Sequence, residues 1–336
     1  MNTQPQRDGA FPSTRRLATA IAAALEAMLA IAYAAPASAA SPLPEAVAKT
    51  DIGFVDVRPD IKLRHMVVRS AHPKGTVLFL HGFPETLYAW KDIAQALGSD
   101  YEVHAFDWPG YGLSSRPSAD RFSYAPKDYA RVLKDYIDAT GIDKSRLVIY
   151  ATDIGALPAL LLALDDPQIA RKIVVGDFAP FDRPQYMAAT LQSLKVKETA
   201  DVTHAAMNKG RDDVLANFYR RGFSREEQFD ISLEFAADMA KGWNQENLTS
   251  ADAFYHYYSH FTRDQNYLEA NLDRLRTPVK VVWGERDFYI KTDMGAELAK
   301  RTNTTFSVLP GLGHYLHLQS PGRTVEEVRA LFAAQP

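Results

Sequence analysis

The sequence has no cysteine among its 336 residues. That excludes a cysteine nucleophile, a thiolate metal site, a lipid-attachment cysteine and any disulfide, so the fold must hold on its hydrophobic core. Charge of one sign is also missing: 38 basic and 41 acidic residues are spread along the chain, for a formal net charge of -3. No run of Lys or Arg could follow a phosphate backbone, so nucleic acid is not an expected partner. With 46% hydrophobic and 24% charged residues the composition is ordinarily globular. The length suits either two domains or one α/β enzyme carrying an insertion.

The N-terminus is different in kind. Arg7, Arg15 and Arg16 precede an apolar stretch from Leu17 to Ala35, followed by Pro36-Ala37-Ser38-Ala39-Ala40. Basic, apolar and small residues in that order are a secretory signal. The expectation is a signal peptide over residues 1–40, cleaved near residues 39–40. The mature chain would then be periplasmic or secreted, with no stable membrane insertion. Glu26 is awkward for both export and spanning, since a carboxylate in lipid is costly. The Arg15-Arg16 pair hints at the twin-arginine route, although the residues after it fit that signal poorly.

Beyond the leader, Asp51 to Arg69 alternates as an antiparallel hairpin does. Short apolar runs then alternate with helical stretches: Thr76–Leu80, Glu102–Phe106, Arg146–Tyr150 and Lys172–Val175 are the runs, and helices are expected near Tyr88–Leu97, Pro126–Thr140 and Ile154–Leu164. That alternation predicts a mostly parallel sheet with both faces covered. From about residue 180 to 268 buried strands disappear and helices are expected over Pro184–Lys197, Asp212–Arg221, Arg225–Lys241 and Ser250–His260. Strand patterns resume at Val279–Trp283 and Thr305–Leu309. The predicted organisation is therefore a core over 41–179 and 269–336, with a helical lid (cap) over 180–268 inserted between two parts of one sheet.

The strongest local signal is Tyr150-Ala151-Thr152-Asp153-Ile154-Gly155-Ala156. Small residues flank Asp153 on both sides, as a strand-to-helix turn needs if it is to expose a nucleophile while two backbones approach closely. The alternative is that Asp153 only caps the next helix. The other parts of a site favour the first reading. His81-Gly82-Phe83-Pro84-Glu85 follows a buried run, and its loop would offer the Phe83 N–H to an oxyanion, with the Ile154 N–H as the second donor. Phe83-Pro84 is a candidate cis bond. His81 could serve as a base, but bracing this loop is its expected task. Asp287, in Trp283-Gly284-Glu285-Arg286-Asp287, and His314, in Gly311-Leu312-Gly313-His314, both follow late strands, where open α/β sheets place their sites. Nucleophile, acid and histidine thus fall in the order Asp153, Asp287, His314. Glu285 and Asp177 are the other acids to weigh. His317 lies three residues past His314, but with no further His or Cys cluster neither metal nor cofactor is expected.

These residues resemble the aspartate-nucleophile branch of the α/β-hydrolase superfamily, which holds epoxide hydrolases, haloalkane dehalogenases and haloacetate dehalogenases. The resemblance runs from about Ile61 to the C-terminus. It implies the α/β-hydrolase fold: a mostly parallel twisted sheet with helices on both faces and an inserted helical lid. His81-Gly82-Phe83-Pro84-Glu85 and Asp107-Trp108-Pro109-Gly110-Tyr111-Gly112 look like its oxyanion loop and glycine-containing turn. Dehalogenases commonly follow the nucleophile with Trp or Arg to hold halide or carboxylate; Ile154 offers neither. Asp153-Ile154-Gly155 resembles the secreted bacterial epoxide hydrolases of the Cif-like group. The resemblance implies a ring-opening donor from the lid, here Tyr258 in Phe254-Tyr255-His256-Tyr257-Tyr258-Ser259, with Tyr257 in reserve. A second donor is implied, for which His204, Tyr186 and Tyr219 are candidates. Trp108, His81 and Pro84 complete the expected substrate-binding set.

The expected reaction is epoxide hydrolysis through an ester on Asp153, which water activated by His314 then cleaves. A haloalkane or haloacid dehalogenase with the same nucleophile is the first rival, and a catalytically silent binding protein the second. The expected partner is a small apolar epoxide or halogenated molecule, with homodimerisation left open.

Overall fold

The computed structural model describes residues 49–333. The leader expected over residues 1–40 lies outside them. The opening hairpin is β1 (Thr50–Arg58) and β2 (Ile61–Val68), paired antiparallel. Then come β3 (Thr76–Leu80), α1 (Lys91–Leu97), β4 (Glu102–Phe106), α2 (Pro126–Thr140), β5 (Leu147–Thr152), α3 (Ala156–Asp165) and β6 (Lys172–Gly176). After an insertion, β9 (Val279–Gly284), α9 (Thr292–Thr302), β10 (Phe306–Leu309), α10 (Leu316–Gln319) and α11 (Pro321–Ala333) finish the sheet and its cover.

The eight strands run in the order β1-β2-β4-β3-β5-β6-β9-β10, antiparallel through β1, β2 and β4 and parallel from β4 onward. Alternation of side chains divides the core between two faces. Leu78, Leu80, Ile149 and Ile173 join one cluster with α2 and α3. Val77, Phe79, Val148 and Val174 join the other with α1 and α11. Every residue of β3 and β5 is buried, which is why both runs read as continuously apolar. Helix α2 starts with Pro126 at its first turn and stops at Gly141, whose φ of 67° is left-handed and cheap only for glycine. Its buried Tyr129, Val132, Leu133, Tyr136 and Ile137 lie three and four apart on one face.

The insertion between β6 and β9 carries α4 (Ala189–Ser193), α5 (Lys197–Lys209), α6 (Arg211–Asn217), α7 (Leu233–Gly242), the two-residue pair β7 (Asn244–Gln245) and β8 (Leu248–Thr249), and α8 (Ser250–Ala270). Its details differ from the sequence expectation. The helix expected over Pro184–Lys197 is one 3-10 turn and the short α4. Helix α5 was not expected, because Ala200 is its only buried residue and no apolar stripe announces it. The helix expected from Arg225 starts at Leu233, where the Ser232 side chain caps the Phe235 N–H. Helix α8 runs ten residues past His260, started by a reciprocal cap between Thr249 and Asp252. Buried Arg64 ties the insertion to the sheet: its Nε donates to Asp107 at 2.5 Å and its two terminal nitrogens donate to Asp238 of α7 at 2.7 Å each.

Candidate active site

Strand β5 ends at Thr152, and Asp153 turns the chain at φ 49° before α3 begins. A non-glycine residue takes this conformation at a cost, and such residues gather at functional sites. The neighbouring backbones are close. A Cβ on Gly82 would meet Asp153 Cβ at 2.7 Å, and one on Gly155 would meet Leu80 Cβ at 2.9 Å, so both positions require glycine.

That closeness lets the Phe83 N–H donate to Asp153 Oδ1 at 2.7 Å. The other oxygen, Asp153 Oδ2, lies 3.4 Å from His314 Nε2. On its far side His314 Nδ1 pairs with Asp287 Oδ2 at 2.9 Å, and Asp287 Oδ1 accepts from the Tyr289 and Ile290 N–H groups at 2.8 and 3.0 Å. Burial alone would lower the His314 pKa. The Asp287 and Asp153 carboxylates overcome it and raise the imidazole well above its ordinary value. Asp177, by contrast, does not orient His314 directly: its Oδ1 accepts the Gly284 N–H at 2.9 Å. Glu285 turns away and accepts from Gly311 N–H. Asp177, Asp287 and His314 form the one cluster among the described residues that could geometrically hold a metal ion, with donor atoms within 4.8 Å of one another. The imidazole–carboxylate hydrogen bond already engages two of its members.

The oxyanion loop is held from several directions. His81, fully buried, pairs through Nδ1 with the Gly82 carbonyl at 2.7 Å and through Nε2 accepts the Trp108 N–H at 3.2 Å. Glu85 accepts the Gly82 N–H at 2.8 Å and pairs with His317 Nε2 at 2.7 Å, both side chains being fully buried. The Tyr315 hydroxyl donates to the Phe83 carbonyl at 2.6 Å. His317 thus serves Glu85, not a metal pair with His314.

Two cavities meet at Asp153. The larger, about 470 Å³, lies within the range of small-molecule sites and is bounded by Phe83, Leu191, Met207, Phe254, Tyr289 and His314 among others. The smaller, about 10 Å³, has room for roughly one water-sized group and is bounded by Ile154, Phe178, Tyr257 and Tyr258. The Tyr258 hydroxyl has no hydrogen-bond partner among the described residues, whereas the Tyr257 hydroxyl donates to the Ile154 carbonyl at 3.1 Å. Burial, reinforced by the Asp153 charge, raises both phenols well above their usual value and keeps them protonated donors.

None of the remaining expected substrate contacts lines either cavity, and each is engaged elsewhere. His204 pairs with Asp252 at 2.5 Å, inside the cap of α8. Tyr186 packs on the core beside the Met187–Ile290 bridge, and Tyr219 packs among Phe218 and Phe229. Trp108 donates its ring N–H to the His81 carbonyl, and His81 and Pro84 shape the loop behind Phe83, whose bond to Pro84 is cis. Residues the sequence reading missed are Tyr289 and Tyr315, whose rings pack on His314 at 5.0 and 4.7 Å, and Phe254, stacked on Phe83 at 4.1 Å. Tyr315 and Tyr289 follow His314 and Asp287 closely in the chain, and that adjacency was the available signal.

Residues 77–327 match the family model described as the Alpha/beta hydrolase family. Among curated relatives, the Mus musculus protein called Epoxide hydrolase 4 is 35% identical over 114 residues, covering 34% of this chain and 31% of that protein. The Burkholderia sp. Fluoroacetate dehalogenase is 32% identical over 132 residues, covering 39% of this chain and 40% of that protein. Both matches span less than half of the relative's length. The solved structure of the Cif epoxide hydrolase from Acinetobacter nosocomialis superposes with a TM-score of 0.69 at 17% identity, covering 99% of this chain and 100% of that one. A likeness at that identity speaks for the fold.

Proposed function

The chain belongs to the alpha/beta hydrolase family, and from that premise we propose that it opens epoxides to vicinal diols through a covalent ester on Asp153. The observation that carries this reading is the division of the Asp153 carboxylate: Oδ1 rests on the Phe83 N–H, and Oδ2 faces His314. On this reading the first oxygen becomes the oxyanion and the second attacks.

In the first step Oδ2 bonds to a ring carbon, the opposite C–O bond breaks, and its electron pair stays on the ring oxygen. Tyr258 gives that oxygen its proton and regains one, through solvent, from protonated His314. Ester formation also neutralises one of the two carboxylates facing the imidazole, so the His314 pKa falls at the step where it must act as a base. His314 then takes a proton from water, hydroxide adds to the Asp153 carboxyl carbon, and the charge on Oδ1 is met by the Phe83 and Ile154 N–H groups. Collapse expels the diol oxygen, which takes the carboxylic proton, leaving Asp153 ionised and His314 protonated as at the start. Asp287 orients the imidazole and stabilises its cation. No cofactor enters this sequence.

Epoxide is favoured over halide by Ile154, which offers no side-chain N–H to a departing halide and no charge to a haloacid carboxylate, and by the free Tyr258 phenol. The name of the mouse relative points the same way, while that of the Burkholderia relative points to the dehalogenase reading. A single turnover in heavy-oxygen water, with enzyme in excess, tests the ester. The first diol formed should carry unlabelled oxygen from Asp153, with the label left on the protein. Label in that first diol would mean direct attack by water.

A further inference from the structure

The ester scheme leaves one carboxyl group of the site without a task. Asp177 follows β6 directly, is fully buried and, like Asp153, takes a left-handed backbone, with φ 50°. Its Oδ1 accepts the Gly284 N–H, but its Oδ2 is buried with no hydrogen-bond partner. Asp287 is its carboxylate neighbour: Asp177, Asp287 and His314 each bring a ligand atom within 4.8 Å of the others. Two ionised carboxylates side by side, out of water and with one oxygen unsatisfied, are disfavoured by desolvation and by like charge. Asp287 can take one more donor. A carboxylate offers about four lone-pair sites, and three are used, by the Tyr289 N–H, the Ile290 N–H and His314 Nδ1.

We propose that Asp177 is a neutral carboxylic acid whose Oδ2–H donates to Asp287, making it a positioning residue that fixes Asp287 against His314. The two acids then carry one negative charge behind the imidazole. A second would hold His314 protonated when it must accept a proton from water. The groups facing Asp177 are Asp287 after β9, His314 after β10, the Gly284 N–H of β9 and the Tyr150 phenol of β5, itself bonded to Glu327. Burial, with the Asp287 charge added, pushes the Asp177 acid well above the usual carboxylate range, in line with the geometry.

The inference rests on the His314–Asp287 pairing and not on the nature of the leaving group, so it survives a change of substrate class. The infrared difference spectrum of wild type minus Asp177→Asn, at neutral pH and without substrate, reads the protonation state directly. The expected difference is the carbonyl band of a protonated carboxylic acid; a carboxylate band in its place would overturn the proposal. Kinetics reads the role. Asp177→Leu should slow ester hydrolysis by about 10- to 100-fold, the range for losing a hydrogen bond to a charged group, and Asp177→Asn, which restores a donor, should recover most of that loss. Ester accumulating on Asp177→Asn as fully as on Asp287→Asn would make Asp177 the ionised partner and contradict the proposal. A Leu variant with wild-type hydrolysis would remove the positioning role, and if that variant does not fold, the spectrum and the Asn variant decide.

Discussion

Tyr315→Phe removes one hydroxyl that is engaged by the Phe83 carbonyl, and it should slow one half of the reaction. That hydroxyl donates to the Phe83 carbonyl at 2.6 Å, on the peptide next to the N–H that holds Asp153 Oδ1. Losing a neutral hydrogen bond costs about 0.5–1.5 kcal/mol, and leaving the buried carbonyl unpaired raises the cost to about 1–3 kcal/mol. Against a total stability of about 5–15 kcal/mol the variant stays folded. The loop also keeps its Glu85–Gly82 and His81–Gly82 bonds, so the Phe83 N–H shifts without being lost. Complete loss of an oxyanion donor costs about 100- to 1,000-fold in kcat. A displaced donor should cost about tenfold, or roughly 1.4 kcal/mol of barrier. The loss should fall on ester hydrolysis, since charge collects on Oδ1 only in that step, whereas ring opening develops charge near Tyr258. Rapid-quench sampling with intact-protein mass detection separates the steps: the esterified fraction at steady state should rise while the alkylation rate holds. Alkylation slowed tenfold with hydrolysis intact would refute the reasoning.

Tyr258→Phe should do the reverse and slow ester formation by about 100-fold or more, the scale of general-acid assistance, seen as a lower alkylation rate with little ester accumulating. Arg64→Met leaves Asp107 and Asp238 without their buried guanidinium; removing one partner from a buried ion pair costs about 3–5 kcal/mol, measurable by urea denaturation. The raised His314 pKa makes stability depend on pH. A histidine whose folded pKa exceeds its unfolded value of about 6.5 contributes fully below that value and loses the contribution as pH rises through the folded one. Unfolding free energy of wild type should therefore decline over that window, and His314→Gln should lack this component of the slope.

Much of the core was legible because continuous apolar runs such as Thr76–Leu80 and Leu147–Thr152 have few alternatives to buried parallel strands. Asp153, Asp287 and His314 were legible for a related reason: each follows such a run, and strand ends converge in this sheet order. The insertion was harder. Helix α5 buries almost nothing, so its sequence carries no helical stripe. His204 looked available as a donor because nothing local reveals that Asp252, 48 residues on, holds its ring. Tyr257 and Tyr258 are adjacent and equally aromatic, and only packing separates the hydroxyl bound to the Ile154 carbonyl from the free one. The neutral Asp177 is likewise invisible locally, since its character comes from Asp287, far along the chain.

The ester on Asp153 is tested most directly by intact-protein mass spectrometry of His314→Gln after incubation with epoxides, haloalkanes and haloacids. The expected result is a mass gain equal to the whole epoxide, because ring opening expels nothing, with the adduct on the peptide containing Asp153. A gain equal to a halogenated substrate less hydrogen halide would make the enzyme a dehalogenase. Full epoxide turnover by the variant with no adduct would contradict the ester itself.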